Sequence, residues 1–227
     1  GTGFVVCAGI LALIVFERFT AGGWAAILII GAIVALCVAV RRHYDYTKAQ
    51  LRSIDAQFEN VPFGSVAEPP KLDYEAATAV FLVGSSRGGG LHALLWVQRM
   101  FPEHFRNFVF INARAVDAHS YGGAQDMEAM KVEANVALKF FEIFCHSNGL
   151  ASKSYLSFGT DPIDGFVDLC ARVRQDFPNS IFFTSKLIFE HDNFLIRLLH
   201  NQAALVLQQR LHMADMQMVI LPLKVEV

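Results

Sequence analysis

The chain has 227 residues, of which 54% are hydrophobic and 18% charged, with a net charge of −2. The apolar excess is uneven: residues 1–40 hold two charged side chains, Glu17 and Arg18, and the rest reads as an ordinary globular protein. No basic stripe is present, which argues against a nucleic-acid partner. The four cysteines, Cys7, Cys37, Cys145 and Cys170, lack a C-x-x-C pair, which argues against a disulfide or zinc framework and fits a reducing compartment.

In chain order, the first feature is an apolar run from Gly3 to Phe16. At about fourteen residues it is too short to span a bilayer. It also lacks the basic n-region and A-x-A site of a signal peptide. With no initiator methionine before it, the expectation is the second half of a transmembrane helix whose start is missing. Glu17 to Gly23 then forms a short turn. Ala21 to Val40 follows, about twenty residues without a charge, enough to cross a hydrocarbon core of roughly 30 Å as a helix. Trp24 suits one interface. Arg41, Arg42, Lys48 and Arg52 crowd the other flank, which orients that flank to the cytoplasm.

The expected organisation is therefore transmembrane segments over 1–40 and a juxtamembrane helix over 41–58. A linker broken by Pro62, Pro69 and Pro70 covers 59–77, and a cytoplasmic domain covers 78–227. At roughly 150 residues that domain can bury its own core. Its pattern alternates: strand 79–83, a glycine-rich turn, a helix from about Leu91, strand 108–111, helix 127–146 and strand 155–158. A helix opened by Asp161-Pro162 follows, then a strand from 181 to 183 that extends as far as 189, helix 193–213 and strand 218–221. Strands separated by crossover helices predict an α/β, doubly wound, Rossmann-like parallel sheet of about five strands.

Ligands of such sheets sit beyond the carboxyl ends of the strands, where strand order reverses. The first turn, Gly84-Ser85-Ser86-Arg87-Gly88-Gly89-Gly90, occupies that kind of place, ahead of a helix N-terminus suited to an anion. The other strand-end candidates are Asn112, Thr160, Ser185 and Lys186. The spacing matches neither standard phosphate-binding glycine motif. Gly84-x-Ser86-x-Gly88 does match the nucleophile elbow of hydrolases, with Asp161 and His200 as partners. It follows the first strand of the domain, however, so no earlier strand supplies an oxyanion loop, and His200 falls mid-helix. A membrane-tethered hydrolase using Ser86 is thus the alternative, and no enzyme activity is the main expectation. No histidine pair has metal-ligand spacing, and neither a metal nor a resident cofactor is expected.

FERFTAGGWAAILIIGAIVALCVAVRRHYDY resembles the last transmembrane region of bacterial amino-acid permease-like transporters of the amino acid–polyamine–organocation superfamily. GLHALLWVQRMFPEHFRNFVFI, FPNSIFFTSKLIFEHDNFLIRLLHNQAALVLQQRLH and VILPLKV resemble the cytoplasmic tail of that group. The resemblance implies an ion-coupled importer of the plasma (inner) membrane with its substrate site in upstream helices. It places residues 41–227 in the cytoplasm, with the lipid bilayer and those upstream helices as partners. It also implies a universal-stress-protein-like tail that forms a homodimer and senses a nucleotide such as a cyclic dinucleotide; a ligand-free assembly module is the separate alternative. The G-x-x-G and G-[ST] pattern of ATP-binding stress proteins is absent after the fourth strand.

Overall fold

A computed structural model describes residues 2–7, 9–10, 24–58, 68, 70–84, 87–116, 124–188 and 202–224. The chain divides into two compact units, residues 1–50 and 51–227. In the first, residues 2–7 and 9–10 are helical; helix α1 (Trp24–Phe58) begins there and ends past the division at residue 50. The turn expected at 17–23 lies outside the described residues.

A helix places successive residues 100° apart, so Leu28, Ile29, Ile30, Ile33, Val34, Leu36 and Val38 point all round α1. Each of them is more than half exposed. Among the described residues no helix is long and apolar enough to cross a membrane.

The second unit is built on five strands: β1 (Thr78–Leu82), β2 (Asn107–Ala115), β3 (Ala151–Gly159), β4 (Ser180–Ile188) and β5 (Met218–Lys224). All neighbours pair in parallel, in the order β3-β2-β1-β4-β5. The described helices between them are α2 (Arg87–Met100), α3 (Ala124–Ser147), α4 (Pro162–Asp176) and α5 (Gln202–Met213). The sheet is therefore the expected α/β parallel sheet of five strands.

Every residue of β1 is buried, as a central parallel strand covered on both faces requires. One face carries Ala79, Phe81, Phe108, Phe110 and Phe183 against Leu91, Leu94 and Val97 of α2 and Leu138, Phe141 and Phe144 of α3. The other carries Val80, Val109, Ile111 and Phe182 against Leu169 and Val173 of α4 and Leu207 and Leu211 of α5. On the first face the rings form a ladder. Phe81 stacks on Phe110 at 5.3 Å and on Phe183 at 5.7 Å, and Phe110 stacks on Phe141 at 4.8 Å.

Among the boundaries that differ from the sequence reading, three have a direct tertiary reason. Helix α2 starts at Arg87, so Gly88, Gly89 and Gly90 form its buried first turn and are not a loop. A Cβ on Gly90 would lie 2.5 Å from Phe141 Cζ and 2.9 Å from Val83 Cγ1, closer than any side chain tolerates. Strand β3 begins at Ala151, and its Ala-Ser-Lys-Ser stretch is recruited by pairing with β2 from Asn107↔Ala151 onward. Strand β5 continues through Pro222, which an edge strand accommodates because one side of its backbone needs no partner. The helix expected over 193–213 is described from Gln202, and 189–201 lies outside the described residues.

The amino edge of the sheet is held by Asn107, fully buried. Its amide donates to Asp73 O at 2.6 Å and Thr78 Oγ1 at 2.9 Å, and its Oδ1 accepts from Asp73 N at 3.0 Å. Leu72 packs on the core face that contains Phe177, and Tyr74 stacks on Phe177 at 5.0 Å. Packing thus reaches back to Leu72, upstream of the boundary expected at residue 78.

Candidate ligand crevice at the carboxyl edge of the sheet

The connection from β1 leads to β2 and that from β4 leads to β5, on opposite sides, so strand order reverses between β1 and β4. This is the arrangement that opens a crevice beyond the carboxyl ends of the strands. Leu82 of β1 is in register with Ile111 and Thr184. The next residues, Val83, Asn112 and Ser185, therefore stand level at the lip, and Gly84 begins the turn into α2.

Asn112 is 1% exposed. Its amide donates to Val83 O at 2.9 Å and Gly84 O at 3.0 Å, tying β2 to the β1 turn. Only the NH2 group can donate twice, so these bonds orient the carboxamide and leave Oδ1 as an acceptor. That Oδ1 is buried without a hydrogen-bond partner. Gly84 is exposed, with open space where a Cβ would stand, so packing does not demand glycine there. Arg87 opens α2 and holds its guanidinium 5.2 Å from the Phe140 ring centroid, adding charge to the positive end of the helix dipole.

Of the residues singled out from sequence, the fold brings Gly84, Arg87, Gly88, Gly89, Asn112 and Ser185 to this edge. Ser85 and Ser86 lie outside the described residues, as does the side chain of Lys186. Thr160 follows β3, two strands away. Asp161, the acid a hydrolase would need, caps α4: its Oδ1 accepts from Ile163 N at 2.7 Å. His200 is outside the described residues.

Sequence reasoning missed Arg114, because the apolar run that marks β2 ends at Ile111 while the strand continues to Ala115. Arg114 is in register with Phe158. Its Nε and Nη2 are buried without a hydrogen-bond partner. Glu133 Oε1 stands 3.6 Å from Nη2.

A second polar cluster, also missed, lies at the opposite edge. Lys153 Nζ is 3.1 Å from Asp176 Oδ2, Tyr155 donates its hydroxyl to the same oxygen, and the ammonium sits 4.7 Å from the Tyr155 ring. Burial first, then the hydrogen bond to Asp176, push the Tyr155 phenol up to about 12. Hydrogen bonds from Tyr155 and Lys153 hold Asp176 below the ordinary carboxylate range. Burial alone would lower the Lys153 ammonium, but its bonds to Tyr155 and Asp176 carry it upward. All three groups keep their neutral-pH forms, which suits a clamp between β3 and α4 and not a proton shuttle.

Burial raises the thiols of Cys145 and Cys170 to about 12, so both are inert core residues. Among the described residues no group of His, Cys, Asp and Glu could hold a metal ion.

No family model matches the chain, and no curated protein matches it.

Proposed function

We propose that the chain is the carboxyl-terminal part of an amino-acid permease-like membrane transporter, and that its α/β unit is a regulatory tail binding an anionic small molecule of the nucleotide class. The carrying observation is the reversal of strand order between β1 and β4, with the glycine-led start of α2 following β1. Asn112 with an unused acceptor and Arg87 with an exposed cation support the same place. The membrane part of the reading is supported by the uncharged Ala21–Val40 stretch, its one-sided arginine flank and the apolar side chains exposed all round α1.

Two measurements on the full chain test this. After expression and carbonate washing, the chain is expected in the membrane pellet, and its recovery in the supernatant would remove the transporter reading. In detergent micelles, a nucleotide panel including ATP and cyclic dinucleotides is expected to raise the melting temperature. Ligand at 100 times Kd stabilises by about 2.7 kcal/mol, or a shift of several degrees. Gly88→Val is expected to abolish that shift. No shift with any nucleotide would leave a ligand-free assembly module.

A further inference from the structure

We propose that Arg114 and Asn112 form a two-point ligand site on one face of β2. Arg114 clamps an oxyanion, and Asn112 accepts a hydrogen bond from a hydroxyl or amine of the same molecule. The assignment rests on the ligand-binding reading above and names the residues and ligand chemistry it would use.

Nε and Nη2 are the two nitrogens on one edge of a guanidinium, the fork that matches two oxygens of a phosphate or carboxylate. In Arg114 both are buried without a hydrogen-bond partner, whereas the side chain as a whole is 23% exposed. Glu133 does not fill the fork. Its Oε1 is 3.6 Å from Nη2, beyond hydrogen-bond distance, and the Glu133 side chain is 70% exposed. A solvated carboxylate so placed is a loose counter-ion that an incoming oxyanion displaces.

Asn112 supplies the second point. Both of its donors are committed to Val83 O and Gly84 O, so the free Oδ1 can be satisfied only by a donor. Alternate residues of a strand share a face and stand about 7 Å apart. A fork calling for an oxyanion and an acceptor calling for an O–H or N–H, at that spacing, describe one hydroxylated anion. Sugar phosphates, nucleotides and sugar acids have this form. Inorganic phosphate would fill the fork and leave Asn112 unsatisfied.

The test is calorimetric titration of the full chain in detergent with ribose 5-phosphate, ADP and gluconate. Wild type is expected to bind at least one. Arg114→Lys keeps the charge but loses the fork, and should weaken that binding at least about tenfold. Glu133→Gln removes the competing carboxylate on an exposed side chain and should tighten binding about two- to fivefold. Both variants should melt as wild type does without ligand. Binding of ribose 5-phosphate or ADP alone identifies the anion as phosphate, and binding of gluconate alone as carboxylate. Equal affinities in wild type, Arg114→Lys and Glu133→Gln would overturn the assignment. If Gly88→Val still abolished binding, the crevice reading would survive without Arg114. Failure of all three probes to bind wild type would also overturn it, while a nucleotide-induced melting shift would show that the broader reading stands.

Discussion

Asp176 shows how one carboxylate can be tied to both a strand and a core ring cluster. It accepts from Lys153 and Tyr155, and Lys153 also faces the rings of Tyr74 and Phe177 at 5.8 and 5.9 Å. Because the fold lowers the Asp176 carboxyl, its contribution is fully present above the ordinary carboxylate value of about 4. It is lost as pH falls through the lower, folded value. Lys153 and Asp176 are both more than a third exposed, at 35% and 38%, so screening holds the pair to about 1 kcal/mol or less. Asp176→Asn is therefore expected to melt up to about 4 °C below wild type at pH 7, with the gap closing toward pH 3. An equal gap at both pH values would place the cost in packing, not charge. None of this was legible in the sequence, since Lys153 and Asp176 are 23 positions apart and meet only through the β3–α4 packing.

At the scale of elements, α4 was the helix most fully announced by its sequence. Asp161 caps it with extended φ/ψ of −121° and 120°, Pro162 occupies the first turn and Asp164 lies beside the positive dipole end. Asp161→Ala should cost about 1 kcal/mol, a melting drop of about 2–4 °C for a unit of this size. Asp161→Ser should recover most of it, and an unchanged melting temperature in the alanine variant would show that Pro162 alone sets the helix start. Helix α2 is the counterexample. Three consecutive glycines discourage a helix by roughly 1 kcal/mol each, and the first turn forms because α2 must approach Phe141 and Val83 at Gly90. The same close approach recurs where Gly165 of α4 would place a Cβ 3.1 Å from Ala113 of β2.

For the α/β unit as a whole, stability should fall outward from β1. That strand is buried along its full length and paired on both sides, whereas β3 and β5 each have one free edge. Native-state amide exchange is expected to be slowest in Ala79–Leu82 and their partners in β2 and β4, with Ser152–Ser154 and Val219–Leu221 opening first. Uniform protection across all five strands would instead mean a single cooperative opening with no weaker edge. The residues at the crevice belong to the slow end of this order: Asn112 sits one position past the last β1–β2 pair and ties the two strands together. A ligand contacting it would meet a rigid lip.

The sequence by itself determined the alternation of elements and the parallel α/β class. Strands buried on both faces must be continuously apolar, and AVFLV and FVFI are. It also marked Gly84 as the end of β1, because the switch from an apolar run to glycine is local, whereas β2 runs on past Asn112 to Ala115. Only the tertiary structure decided the order β3-β2-β1-β4-β5, the extension of β2 to Arg114, the polar start of β3 and the unused acceptor on Asn112. Each of these depends on which strand lies beside which. That neighbour relation comes from crossover packing and carries no signal in the spacing of residues along the chain.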